Sequence, residues 1–196
     1  MTSKRIIDFL IFALAVIFIA LSFLVKVHSS TSEYEFPVYV AQAPKPPVMA
    51  YEFGIYHNGP FEVAKVFGRS QGCQNADGDL IVFTSDTSLK AGVDPRIVAS
   101  VIAVESGCNQ FAVSSRGALG LMQVEAGVWK AHFDFGGDVN LLNRQDNIKT
   151  GATILSQLIH TYGNADGIRR YNGTGVGCET CDAGYTTKVL ALAGRN

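Results

Sequence analysis

The feature that most limits how this chain can fold is a run of twenty residues, Ile6 to Val25, apolar except for Asp8 and Ser22. At 1.5 Å rise per residue such a run crosses a hydrocarbon core of about 30 Å as one helix. Asp8 falls at its very start, within reach of headgroups and water. Lys4, Arg5 and the terminal amine precede it, and cations there favour a cytoplasmic amino end with the remainder exported. The expectation is a single-pass anchor over residues 6–25. The alternative is a cleaved signal peptide, with Val27-His28-Ser29 as the cleavage site, although the apolar core of such peptides is usually shorter.

Export bears on the four cysteines, Cys73, Cys108, Cys178 and Cys181. In an oxidising compartment such residues tend to pair. Four allow three connectivities; Cys73–Cys108 with Cys178–Cys181 is the favoured one, free thiols the bland alternative. The spacing of Cys178 and Cys181 resembles half of a zinc or redox site. The other two cysteines do not complete it, and His28, His57, His132 and His160 are scattered, so neither metal nor cofactor is expected. The net charge is −1 and no basic stripe is visible, which argues against a nucleic-acid partner.

Residues 29–50 read as a linker, rich in Ser and Thr at first and then in proline, Ala43-Pro44-Lys45-Pro46-Pro47, a composition that favours extended, semi-rigid backbone. Residues 51–85 show no clean periodicity and stay unassigned. From Ser88 the pattern turns helical. Asp94-Pro95 is a start signal, an N-cap followed by proline at the first helical position. Ile97, Val98, Val101 and Ile102 then recur at helical spacing, Glu105 falls on the same stripe, and Gly107 stops the helix. A second helix is expected from about Asn147, read as its cap, to Tyr162, and a third from near Tyr185. Gly117 and Gly120 mark a turn where backbone bends or a ligand comes close. The sum is a mainly helical domain of about 120 residues, enough for one core.

A carboxyl on an apolar helix face is partly desolvated, and this raises its pKa. The last turn, at the negative end of the helix dipole, pushes the same way. That is the environment of a general acid for glycosidic oxygen, and also that of a boundary glutamate turned to solvent. The residues downstream of Glu105 decide between them. Glu105-Ser106 is succeeded by Ala112-Val113-Ser114, by Gly117-Ala118-Leu119-Gly120-Leu121-Met122-Gln123, by Asn147-Ile148 with Gly151, by Tyr171-Asn172-Gly173, and by Tyr185 with Lys188-Val189-Leu190.

In order and interval this set resembles the catalytic domain of the soluble lytic transglycosylases, a goose-lysozyme-like fold, over about residues 86–194. The resemblance implies Glu105 as acid/base and Ser106 as an orienting hydroxyl beside it. It implies Ser114, Met122 and Gln123 along a glycan groove, Tyr171 facing the carboxyl, and Asn172 as its partner. For Leu121 and Met122 core packing is an equal reading. The implied substrate is the peptidoglycan glycan strand, cut between N-acetylmuramic acid and N-acetylglucosamine to leave a 1,6-anhydro ring. The chain departs from the family at Cys108, where a disulfide would replace packing, at Gln110, at Gln123-Val124-Glu125-Ala126, and at Gly173-Thr174-Gly175.

The expected organisation is thus 1–28 cytoplasmic start and anchor, 29–72 linker and unassigned segment, and 73–196 catalytic domain. The expected location is the inner membrane with the catalytic domain in the periplasm, or a virion membrane, with an envelope-spanning or virion assembly as a candidate partner. Two rivals stand beside this: a hydrolase in which Glu125, Asp134 or Asp138 activates water, and a non-catalytic, membrane-tethered glycan binder.

Overall fold

The computed structural model describes residues 58–130, 132, 139–173 and 182–194. The apolar run, the linker, Cys178, Cys181, Asp134 and Asp138 lie outside the described residues. Among the described residues no helix is long and apolar enough to cross a membrane.

The domain is mainly helical, as expected, and its described residues form no named strand. The helices are α1 (Gly59–Arg69), α2 (Gly78–Ala91), α3 (Pro95–Ser106), the single turn α4 (Ala126–Trp129), α5 (Arg144–Tyr162), α6 (Asn164–Tyr171) and α7 (Tyr185–Leu192). A 3-10 turn, Gln71–Cys73, joins α1 to α2.

Helix α3 is the centre. Asp94 accepts the amide of Arg96 at 2.9 Å, Pro95 opens the first turn, and Gly107 ends the helix in the left-handed region, as the start and stop signals require. Ile97, Val98, Val101 and Ile102 are at most 1% exposed. Helix α1 packs on α3 and α2, α7 lies against α3, and α5 packs on α6 and α2. This one core fixes the carboxyl end of α3, where Glu105 sits.

Two sequence expectations are corrected. Helix α5 begins at Arg144, three residues before the expected start, because Asn143 is its cap and accepts the amides of Gln145 and Asp146. Asn147 is no cap: it is fully buried within the helix. Its side chain accepts the amide of Met122 at 2.8 Å and donates to the carbonyls of Leu119 and Leu141, each at 2.8 Å. A single amide side chain thereby holds the loop after α3 onto α5. Helix α2, most of which falls in the segment left unassigned, has Asp77 as its cap, 2.7 Å from the amide of Leu80. Its buried face is mostly polar: Thr84, Ser85, Thr87 and Ser88 beside Leu80.

Cys73 and Cys108 form a disulfide with Cα atoms 5.1 Å apart, the first half of the favoured pairing; the second half lies outside the described residues. The bond ties the 3-10 turn to the loop three residues beyond Glu105.

Candidate active site

Glu105 occupies the last turn of α3, half-buried. Its Oε1 accepts a hydrogen bond of 2.6 Å from the hydroxyl of Tyr185, the first residue of α7. Burial raises the carboxyl above its ordinary value, and the hydrogen bond from Tyr185 opposes the rise without cancelling it. Tyr185 is itself buried, and its phenol is pushed well above the usual tyrosine range by burial and by the neighbouring Glu105 charge. A phenol held protonated in this way stays a donor.

Tyr171 stands differently from the expectation. It is close enough to Glu105 for that charge to help raise its pKa, burial being the larger cause. Its hydroxyl, however, donates to the carbonyl of Met122 at 2.8 Å. The phenol that meets the carboxyl is Tyr185. The sequence places Tyr185 in the motif without giving it a task; an aromatic with a hydroxyl opening a helix that packs on α3 is the available signal. Trp129, which the sequence does not single out, stacks on Tyr171 with ring centroids 6.3 Å apart and planes inclined by 24°.

The loop 107–125 forms the other wall. Leu119 and Val124 exchange backbone hydrogen bonds of 3.1 and 3.0 Å, and Gly120 donates to Ala112 at 2.9 Å. Ser106 donates to the carbonyl of Leu121 at 2.8 Å or of Ile102 at 3.1 Å, so its hydroxyl fastens the loop to α3. Ser114 accepts the amides of Arg116 and Ala118 and closes the turn between them; its own proton is left to give. Gln123 has a positive φ of 48°. Its side-chain nitrogen donates to the carbonyls of Ala112 at 3.1 Å and Gly120 at 2.9 Å. Both its protons are engaged, leaving the carbonyl oxygen as the group it can offer.

Met122 does not line a groove: its side chain is fully buried. It packs where Gly151 has no side chain, since a Cβ on Gly151 would lie 2.6 Å from the Met122 sulfur and 2.9 Å from the Tyr171 hydroxyl. Asn172 follows the last turn of α6, its amide 3.3 Å from the Ile168 carbonyl. Glu125 is turned to Arg116, 3.4 Å away across an exposed pair. Among the described residues no group of three or more His, Cys, Asp or Glu is placed to hold a metal ion.

Among the described residues, the helical core presents one half-buried glutamate, held by a tyrosine hydroxyl, beside a backbone-braced loop. The segment 84–178, just under half of the chain, matches the family model described as Transglycosylase SLT domain. Curated relatives agree over a shorter stretch. The chain is 40% identical over 77 residues to the endo-type membrane-bound lytic murein transglycosylase A of Citrobacter koseri, covering 35% of this chain and 37% of that protein. It is 38% identical over 79 residues to that of an Enterobacter species, with the same coverage, and 36% identical over 77 residues to that of Klebsiella pneumoniae, covering 34% and 36%. The chain thus spans little more than a third of the length of these relatives. Tyr185 lies beyond the matched segment.

Proposed function

We propose that this chain is a lytic transglycosylase that cuts the β-1,4 bond between N-acetylmuramic acid and N-acetylglucosamine in peptidoglycan, with Glu105 as its one acid/base. The lysozyme-like reading of the helical domain belongs to the same proposal. The observation that carries it is the Glu105 carboxyl itself: half-buried, raised in pKa, and held through one oxygen by Tyr185. Its relatives are named for this reaction.

The chemistry follows from the two oxygens. Oε1 accepts the hydrogen bond from Tyr185, so the acidic proton of neutral Glu105 belongs on Oε2. From there it passes to the glycosidic oxygen as the bond to the muramic C1 breaks, assisted by the muramic N-acetyl group. The carboxylate left behind takes the proton of the C6 hydroxyl, whose oxygen closes on C1. One bond is broken and one made within the sugar, Glu105 ends protonated, and no water is consumed. A two-carboxylate hydrolase needs a second acid near the scissile bond. Glu125, engaged with Arg116, does not favour that reading. Gln123, through its carbonyl oxygen, and Ser114, through its remaining proton, are the residues of the loop suited to bind sugar hydroxyls or an N-acetyl N–H. Ser106, Met122 and Asn172 support the groove from behind.

Residues 6–25 are proposed as a single-pass anchor in the inner membrane, followed by a proline-rich spacer that holds the enzyme towards the wall. The names of the relatives, membrane-bound, support such a tether.

The experiment is digestion of purified peptidoglycan with mass spectrometry of the soluble muropeptides. Anhydro products from the wild type and none from Glu105→Gln are expected. Products heavier by one water would make the protein a hydrolase, and release by the Gln variant would remove Glu105 from the mechanism.

A further inference from the structure

Tyr185 meets Glu105 because α7 begins where it does, and one buried residue sets that start. Asp182 is 6% exposed and gathers three successive backbone amides. Its Oδ1 accepts from Gly184 at 2.9 Å and its Oδ2 from Thr186 at 2.9 Å. Its main-chain carbonyl accepts from Tyr185, also at 2.9 Å. The backbone of Tyr185 is thus bracketed on both sides by amides bound to one carboxylate. Ala183 and Gly184, between the two, both take positive φ, 49° and 78°. Such a turn holds in a non-glycine residue only when its surroundings over-determine it.

Asp182 is in turn tied to α6. The Arg169 guanidinium, 8% exposed, lies near enough to act on it electrostatically. Burial alone would raise the Asp182 carboxyl; hydrogen bonds from Thr186 and Gly184 and the Arg169 charge outweigh it and hold the carboxyl below the ordinary value. Arg169 also pairs with Asp166 in the same helix. It stands two residues before Tyr171, so the helix that supplies one phenol near Glu105 carries the cation facing the residue that aims the other.

We propose that Asp182 is a positioning residue for the acid/base: by capping α7 through three amides it holds the Tyr185 hydroxyl on Oε1 of Glu105 and so keeps the acidic proton on Oε2. The inference rests on Glu105 being the acid/base of the proposed reaction. Asp182 lies outside the segment that matches the family model, and it touches no reacting atom. The ionisable groups acting on the Glu105–Tyr185 pair are Tyr171 from α6 and Asp182 itself.

The test reads Glu105 directly. In the full chain, the carboxyl titration of Glu105 is followed by carbon-detected NMR in the wild type, Asp182→Asn, Tyr185→Phe and the double variant. Asn accepts one amide where Asp accepts two, so the Tyr185 hydroxyl should drift from Oε1. Because that hydrogen bond lowers the Glu105 pKa, its midpoint should rise in Asp182→Asn and in Tyr185→Phe, with no further rise in the double variant. On peptidoglycan the kcat of Asp182→Asn should fall about tenfold with KM little changed, as for a misplaced acid. A midpoint unmoved by Asp182→Asn, or shifts that add in the double variant, would overturn the proposal; a loss of stability alone moves neither. The titration needs no substrate, so a chain that cleaves no glycan refutes the proposed function while this coupling is still decided. Should Asp182→Asn fail to fold, Asp182→Ser, which also accepts a single amide, is read in the same way.

Discussion

On one side of Glu105 the loop 107–125 is pinned by groups that take no part in chemistry: the Asn147 amide, the Ser106 hydroxyl, paired backbone and a disulfide. On the other side stand Tyr171 and Tyr185, buried phenols whose hydroxyls are engaged by a carbonyl and by the carboxyl itself. The Glu105 carboxyl takes its hydrogen bond from the phenol wall, not from the groups that pin the loop. The phenol wall therefore bears on its acidity directly, the Tyr185 hydroxyl lowering what burial raises. Damage to the first should therefore appear as lost stability, and damage to the second as an altered pH profile.

The largest effect is expected at Asn147. Asn147→Ala strips three hydrogen bonds from a fully buried site and leaves the Met122 amide and two carbonyls unpaired. The cost should be about 4 kcal/mol, as is usual when several buried groups lose their partners. Urea unfolding measures it, and a loss below about 1 kcal/mol would mean that the loop is held by something else. Next is the disulfide, whose cysteines are 35 residues apart in sequence. Replacing both with Ser should cost about 3 kcal/mol, within the range usual for loss of a disulfide, with the Glu105 titration unmoved if the loop wall is only structural. Gly151→Ala should cost about 2 kcal/mol by overpacking, since the new methyl meets both Met122 and the Tyr171 hydroxyl. It is the one change that presses on both walls, so it should also disturb the pH profile, which the disulfide variant should not.

How much of this is legible in the sequence differs between the walls in the same way. The loop and the helix that leads into it are written in residue types with a local backbone reason: Asp94-Pro95 as the helix start, Gly107 as its stop, Gly120 in a tight turn. The place of Glu105 on the apolar stripe follows from helical spacing; its half-buried setting does not, since the same spacing suits a boundary glutamate turned to solvent. Helix α2 escapes because its buried face is Thr84, Ser85, Thr87 and Ser88, and a search for apolar periodicity is blind to a polar buried stripe. Asn147 reads as a cap because Asn favours caps; only tertiary structure shows a partner 25 residues away. The exchange of tasks between Tyr171 and Tyr185 is illegible for a similar reason. Both are tyrosines at helix ends, and which hydroxyl reaches the carboxyl depends on how α6 and α7 pack, a contact between residues 80 apart.

The smallest expected effect discriminates best, because its sign is unusual. Glu105 binds its proton more tightly in the folded chain than in the unfolded one, where the ordinary value is about 4.5. As pH rises through that value the unfolded chain sheds the proton first, so folding loses stability until the pH passes the raised folded pKa, and the loss is constant above it. Glu105→Gln has no proton to shed, and its carbonyl still accepts from Tyr185. The variant should therefore match the wild type in stability near pH 4 and exceed it near pH 8, by well under the roughly 3–5 kcal/mol seen when a buried ion pair is broken. Thermal melts at the two pH values give the comparison. A variant less stable than wild type at both would mean that the carboxyl is a structural anchor; a gain confined to the higher pH marks a site where stability has been given up for acidity, as a general acid requires.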